Sequence, residues 1–256
     1  MPLDSVWDRF TPGLGHDPNS PSRIGSCPAP DSFIQRLIAK VNPDTIHARL
    51  QRLQDFRTRY VYTDSCRRAE EYVARYFNHL GLDSVELDAY PVGADTWRNV
   101  VGTILGKTHP EKILILCAHL DATSEDPYNF APGAEDNGSG TCGVIEAARV
   151  LAHENLDYTV KFIAFTGEEI ALNGSDHYAR RARSRGEDIL CAFNFDMIGW
   201  PGGDWGVALV GMPAASRYVY YEGEMASTYT SLAHRETFRS FPSDSRSFDN
   251  VGYPAM

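Results

Sequence analysis

Three short apolar runs, Ile113 to Ala118, Thr159 to Phe165 and Ile189 to Phe195, constrain this chain more than any other feature. Each is too short for a buried helix and suits a strand covered on both faces. The stretches between them carry helical spacing: Val144, Ala147, Ala148 and Leu151 follow a start near Ser139, and a second helix is predicted from about Leu172 to Arg183. Strand, helix, strand, helix, strand is the grammar of a sheet with substantial parallel content and helices on both faces. Ligands of such sheets sit beyond the carboxyl ends of the strands. There this chain places His119 and Asp121, then Glu168 and Glu169, then Asp196.

Upstream, Ile46, Leu50 and Leu53 recur at helical spacing from Asp44 onward, and Asp64 to Leu80 predicts a second helix ended by Gly81. Ser84 to Tyr90 and Asn99 to Leu105 read as strands. Downstream, Gly206 to Val210 predicts a strand and Pro213 to Leu232 a helix, after which the pattern is unreadable. Residues 1–32, rich in Pro, Gly and Ser, predict an irregular arm.

A length of 256 residues with 43% hydrophobic content supports one substantial core. The net charge of −10, with no polybasic run, argues against a nucleic-acid partner and favours a small molecule or peptide. No run approaches the ~20 apolar residues of a membrane span, and Met1 to Ala29 lacks the apolar centre of a signal peptide. Five scattered cysteines do not form a disulfide framework, and Cys117 and Cys191 read as buried free thiols.

The chemistry these residues allow is metal-assisted hydrolysis. His119 can offer an imidazole nitrogen, with Asp121, two residues on along an extended strand, returning to the same face to orient the ring or a neighbouring group. The turn Pro132-Gly133-Ala134-Glu135-Asp136-Asn137-Gly138-Ser139-Gly140 reads either as an ordinary Asp-Asn-Gly turn capped by Ser139 or as a carboxylate held to bridge two cations. Glu168 and Glu169 read either as exposed acids at a helix start or as a metal ligand beside a general base. Asp196 would complete an ion's shell.

The motifs A-H-L-D, P-G-A-E-D-N-G-S-G, A-F-T-G-E-E and N-F-D-M-I-G, in this order and spacing, resemble the zinc exopeptidase family of bacterial leucyl-type aminopeptidases, plasma glutamate carboxypeptidase and glutaminyl cyclases. The resemblance covers roughly Asp44 to Met256, including Arg57-Thr58-Arg59-Tyr60 and Asn99-Val100-Val101. It implies a three-layer α/β/α sandwich around a central mixed, largely parallel sheet, with a zinc peptidase catalytic domain over residues 33–256. It further implies up to two zinc ions: His119 and Asp196 holding one, Asp136 bridging, Glu169 on the other. Glu168 is then the general base, Asp121 supports the site from behind, and the Asp136–Asn137 peptide is cis. The substrate implied is a peptide with a free amino terminus.

Two departures qualify it. Ser245 stands where the family commonly has a histidine, in Ser243-Asp244-Ser245-Arg246-Ser247-Phe248. The chain also ends before the family's Y-H-T-x-x-D-T segment, whose histidine completes the zinc shared by Asp136 and Glu169. The second ion is therefore expected to bind weakly, the catalytic domain to be incomplete at its carboxyl end, and an apolar edge to be left there. His234, the nearest histidine, reads as an exposed helix residue. A single-zinc glutaminyl-peptide cyclotransferase and a binding homologue that has lost turnover are the rival expectations. Relatives are often exported, and the compartment stays open.

Overall fold

The computed structural model describes residues 30–200 and 206–256, so most of the arm expected over residues 1–32 lies outside the described residues. Helix α1, Ser32–Ile38, is capped by Asp31, whose carboxylate accepts from the Phe33 and Ile34 amides. It buries no residue, so no apolar stripe marks it in the sequence. Helix α2, Pro43–Gln54, starts from an Asn42 cap with proline at the position that needs no amide. Helix α3, Asp64–His79, is capped by Thr63 and turns Ala69, Val73 and Phe77 inward at four-residue spacing.

Strands β1, Ser84–Val92, and β2, Asp95–Ile104, form a hairpin in unbroken register from Ser84↔Thr103 to Val92↔Asp95. The sequence predicts less of both, ending the first strand at Tyr90 before Pro91 and starting the second at Asn99. Yet β1 is the edge of the sheet, where proline is tolerated. Then follow β3, His109–His119, helix α4, Gly140–Leu151, β4, Tyr158–Phe165, helix α5, Asn173–Ser184, and β5, Asp188–Asn194. The sheet order is β1-β2-β4-β3-β5. Strand β2 is antiparallel to both neighbours, while β3 is parallel to β4 and β5. Four strands thus share one direction, although the ladders divide evenly between parallel and antiparallel.

Helices α2, α3 and α4 cover one face, where Leu53, Val73, Phe77, Val144 and Ile145 meet Val100, Phe162 and Ala164. Helix α5 and helix α7, Ser245–Asn250, cover the other, packing Tyr178, Ala179 and Phe248 on Ile115, Cys117, Ile163 and Phe165. Successive residues of β3 and β4 therefore serve opposite cores, which is why their sequences are continuously apolar.

Strands β6, Gly206–Gly211, and β7, Ala233–Phe238, form a separate parallel pair with helix α6, Ser216–Tyr229. Leu209, Val219 and Met256 join this unit to β5 through Cys191. The helix expected over Pro213 to Leu232 divides into a short 3₁₀ turn at Pro213–Ala215 and α6. Beside β5, Ala255 bridges Ala192, and the Asn194 amide donates to the Met256 carbonyl at 2.8 Å. Cys66, Cys117, Cys142 and Cys191 are buried free thiols. No helix among the described residues is long and apolar enough to cross a membrane.

Candidate metal centre

Strands β3, β4 and β5 end side by side, with His119 opposite Phe165 and Cys117 opposite Asn194. The residues just past each end are thereby delivered to one place. The buried His119 ring lies 3.2 Å through Nε2 from Asp136 Oδ1, 3.7 Å from Asp196 Oδ1 and 4.0 Å from Glu168 Oε2. Its Nδ1 lies 3.0 Å from the Asp121 carbonyl oxygen, which can only accept, so Nδ1 carries the hydrogen and Nε2 faces the acids. Two ligand-type groups result, His119 with Asp136 and Glu169, and His119 with Glu168 and Asp196; within each group the ligand atoms lie within 4.8 Å of one another.

Each ligand-type residue is held from behind. Arg59 is fully buried and donates to the Leu120 carbonyl at 2.7 Å, the Gly133 carbonyl at 2.8 Å, and the Pro132 carbonyl. It thus ties the exit of β3, with His119 and Asp121, to the turn that carries Asp136. Gly133 has φ +45°, and a Cβ there would stand 2.3 Å from the Asp136 carbonyl oxygen, so only glycine fits. The Asp136–Asn137 peptide is cis. Asn137, also buried, donates to the Phe195 carbonyl at 2.8 Å and accepts from the Gly140 amide at 2.9 Å, so the Asp136 turn is fastened to the end of β5. On the far side Ser243 donates to Asp196 Oδ2 at 2.5 Å.

Of the two roles open to the Asp121 carboxylate, orienting the imidazole or a neighbouring group, its hydrogen bonds serve the second, while Oδ1 stays 3.8 Å from His119 Nδ1. Strand β3 ends at His119, the alternation stops, and it is the Asp121 backbone carbonyl that meets the imidazole. Its two carboxylate oxygens instead accept the amides of Glu168 at 3.2 Å and Glu169 at 3.3 Å, fixing the turn after β4. Ser139 likewise makes no cap for α4; its hydroxyl donates to the Glu135 carbonyl, and the Asn137 side chain receives the first amide of the helix. His234, expected on an exposed helix, lies in β7, 4.0 Å from Glu236, and joins neither ligand-type group.

The charge balance fits a cation. Burial pushes the Glu168 carboxyl up to about 8 and Glu169 to about 7, in each case with neighbouring acids adding to the effect. Burial works against charge on His119, but the Asp136 and Asp196 carboxylates overcome it and raise its proton affinity well above the ordinary range. A field that favours a proton at Nε2 favours a divalent cation there as well. An imidazole with carboxylates is a donor set suited to zinc. Distance by itself does not separate Glu168 from the ligands, since it stands nearly as close to His119 as Asp196 does.

All six residues singled out in the sequence, His119, Asp121, Asp136, Glu168, Glu169 and Asp196, belong to this centre. The sequence does not mark Arg59, Asn137 or Ser243 for their supporting work. Arg59 sits in an alternating stretch where nothing distinguishes it from its neighbour Arg57, since both follow the same helix and only folding buries one of them. Asp244, next to Ser243, is fully buried, and among the described residues neither carboxylate oxygen finds a hydrogen-bond donor. The Ser175 hydroxyl is engaged with Ser247 at 2.8 Å.

The chain is 27% identical over 196 residues to a probable zinc metalloprotease of Pyrenophora teres f. teres, covering 66% of this chain and 42% of that protein. It is 26% identical over 232 residues to a probable leucine aminopeptidase of Arthroderma otae, covering 87% and 63%. Under half the length of the metalloprotease is therefore spanned. The crystal structure of LapB from Legionella pneumophila superposes with a TM-score of 0.75 at 22% identity, over 100% of this chain and 69% of that one. The family model for peptidase family M28 matches residues 99–256, the stretch that contains all four motifs, and the chain belongs to that family.

Proposed function

We propose that this chain forms the catalytic core of a zinc-dependent aminopeptidase, and the convergence of three carboxylates on His119 Nε2 is the observation that carries the reading. His119, Asp136 and Asp196 would hold a first ion, and Asp136 with Glu169 could offer donors to a second. Bound zinc acidifies water and polarises a peptide carbonyl. Glu168 Oε2 takes the proton of the attacking water and returns it to the leaving amine. Its raised proton affinity suits the second half of that exchange, and beside a cation the same carboxyl titrates lower, which suits the first. Asp121 keeps both glutamates in place through their amides. With Asp136 half-exposed at the mouth, the acidic site suits a substrate that brings a positively charged amino terminus.

Replacing Glu168 with Gln tests the assignment. Zinc content measured by elemental analysis should stay within error of the parent, while turnover of a leucyl peptide falls by about 10²- to 10⁴-fold. Undiminished turnover removes Glu168 from the role of base. A peptide with amino-terminal glutamine separates the rival chemistry: ammonia release without backbone cleavage replaces the peptidase reading with a cyclase. Tight zinc uptake without either reaction leaves a binding homologue.

A further inference from the structure

Beside the metal centre an aromatic wall stands exposed without being loose. Tyr128 packs edge-on against Tyr60, with centroids 5.1 Å apart, Tyr60 meets Tyr62 at 5.3 Å, and Tyr62 meets Trp97 edge-on at 4.9 Å. Tyr62 keeps 45% of its surface in solvent and Tyr128 keeps 61%, whereas Trp97 is buried. The loop bearing Tyr128 is fixed by the Thr58 hydroxyl donating to the Pro127 carbonyl at 2.6 Å and the Ser124 hydroxyl donating to the Phe130 carbonyl at 2.6 Å. Holding large rings in water on a fixed frame is unfavourable unless something covers them.

The wall is continuous with the glutamate side of the centre by two routes. At one end Trp97 lies directly under Gly167, where a Cβ would stand 2.9 Å from its ring, and Gly167 leads into Glu168. At the other, the Ala122 amide donates to the carbonyl of Arg59, the residue before Tyr60, and the Thr123 amide donates to Glu169 Oε1 at 3.2 Å. A second exposed apolar group, Met197, Ile198 and Trp200, follows Asp196 and so flanks the other ligand-bearing end. Because Glu168 delivers its proton to the leaving nitrogen, the part of the substrate after the scissile bond departs on the glutamate side.

We propose that Tyr60, Tyr62 and Tyr128 form a subsite for an aromatic or large apolar side chain on the residue immediately following the scissile bond. The inference rests on the peptidase reading and names its substrate class. Edge and face contacts of tyrosine give large contact area at small conformational cost, and the hydroxyls stay hydrated at the rim.

The test compares leucyl-phenylalanine amide with leucyl-glycine amide, using the zinc-loaded chain, Tyr62→Ala, Tyr128→Ala and the double variant. The ratio of kcat/KM for the two peptides should fall about tenfold in the double variant, chiefly through KM. An unmoved ratio overturns the subsite, whether or not the absolute rates change. Calorimetric Kd values for both peptides, measured in the Glu168→Gln background with and without the tyrosine changes, repeat the comparison without turnover. If the parent cleaves neither peptide while Glu168→Gln binds the phenylalanine peptide more tightly and loses that preference with the tyrosines, the peptidase reading fails and the tyrosines remain a binding surface for aromatic side chains, with no position relative to a scissile bond.

Discussion

Arg59 illustrates how a single side chain turns separate loops into one centre. Its guanidinium is taken wholly out of water and used on backbone carbonyls of Leu120, Pro132 and Gly133, so the exit of β3 and the turn carrying Asp136 cannot move independently. Burial lowers its pKa, with nearby Asp121 and Asp136 among the charges opposing that change. Replacing Arg59 with Met leaves those carbonyls without donors and should cost about 3 kcal/mol or more in urea unfolding. Zinc affinity, followed by competition with a chromogenic chelator, should fall about 10- to 100-fold, as for other groups that orient ligands. Arg59→Lys restores a charge but not the fork of donors and should regain stability without regaining affinity. Parent-like affinity in both variants would mean that the ligands position themselves.

At the scale of elements, the centre exists because three parallel strands end side by side, with helices packed on both faces of the sheet. Phe77 on α3 is fully buried, packs against Phe162 of β4 at 6.4 Å between centroids, and would stand 2.8 Å from a Cβ on Gly102 of β2. Truncating it to Ala should cost about 3–5 kcal/mol by urea denaturation, through lost burial and the cavity left behind. The helix over Asp64 to Leu80 was readable in the sequence, and its inward face is the apolar set Ala69, Val73 and Phe77; the continuous apolar character of β3, β4 and β5 was readable too. The full β1–β2 hairpin was not readable, because Pro91 is harmless only at an edge and the strand order is a tertiary fact. Helix α1 and strand β7 were unreadable for a different reason: the first buries nothing, and the second alternates over a small sheet that carries little apolar signal.

Taken as a whole, the molecule holds several buried or half-buried carboxyls outside the candidate metal centre. Burial pushes Glu222 and Asp244 up to about 7 and Asp249 to about 6; Glu70 reaches about 7 although Arg98 pairs with it at 2.6 Å. Between roughly pH 4 and pH 7 the folded chain therefore holds protons on these groups that the unfolded chain has released, and stability declines as pH rises through that window. Asp196, held below the ordinary range by His119 and Ser243 in spite of its burial, works in the opposite direction. In chelator-treated protein, Tm should be lower at pH 8 than at pH 5. Glu222→Gln removes one such penalty, so it should raise Tm at pH 8 by about 2 °C or more and leave the pH 5 value unchanged. A rise of equal size at both pH values would show a packing effect instead.

What the amino-acid order determined is the set of reactive groups and their station: apolar runs of strand length specify buried strands, and whatever follows each run is carried to the sheet edge. Which groups face each other was decided by the tertiary structure. The sheet order β4-β3-β5 puts the turn after β4 and the end of β5 on either side of His119, a placement fixed by crossover packing on both faces rather than by any local spacing. The same holds for the division of labour at Asp121, whose carbonyl takes the imidazole while its carboxylate takes two amides. Local periodicity encodes the pleat of a strand, and the role of Asp121 begins where β3 and its pleat end.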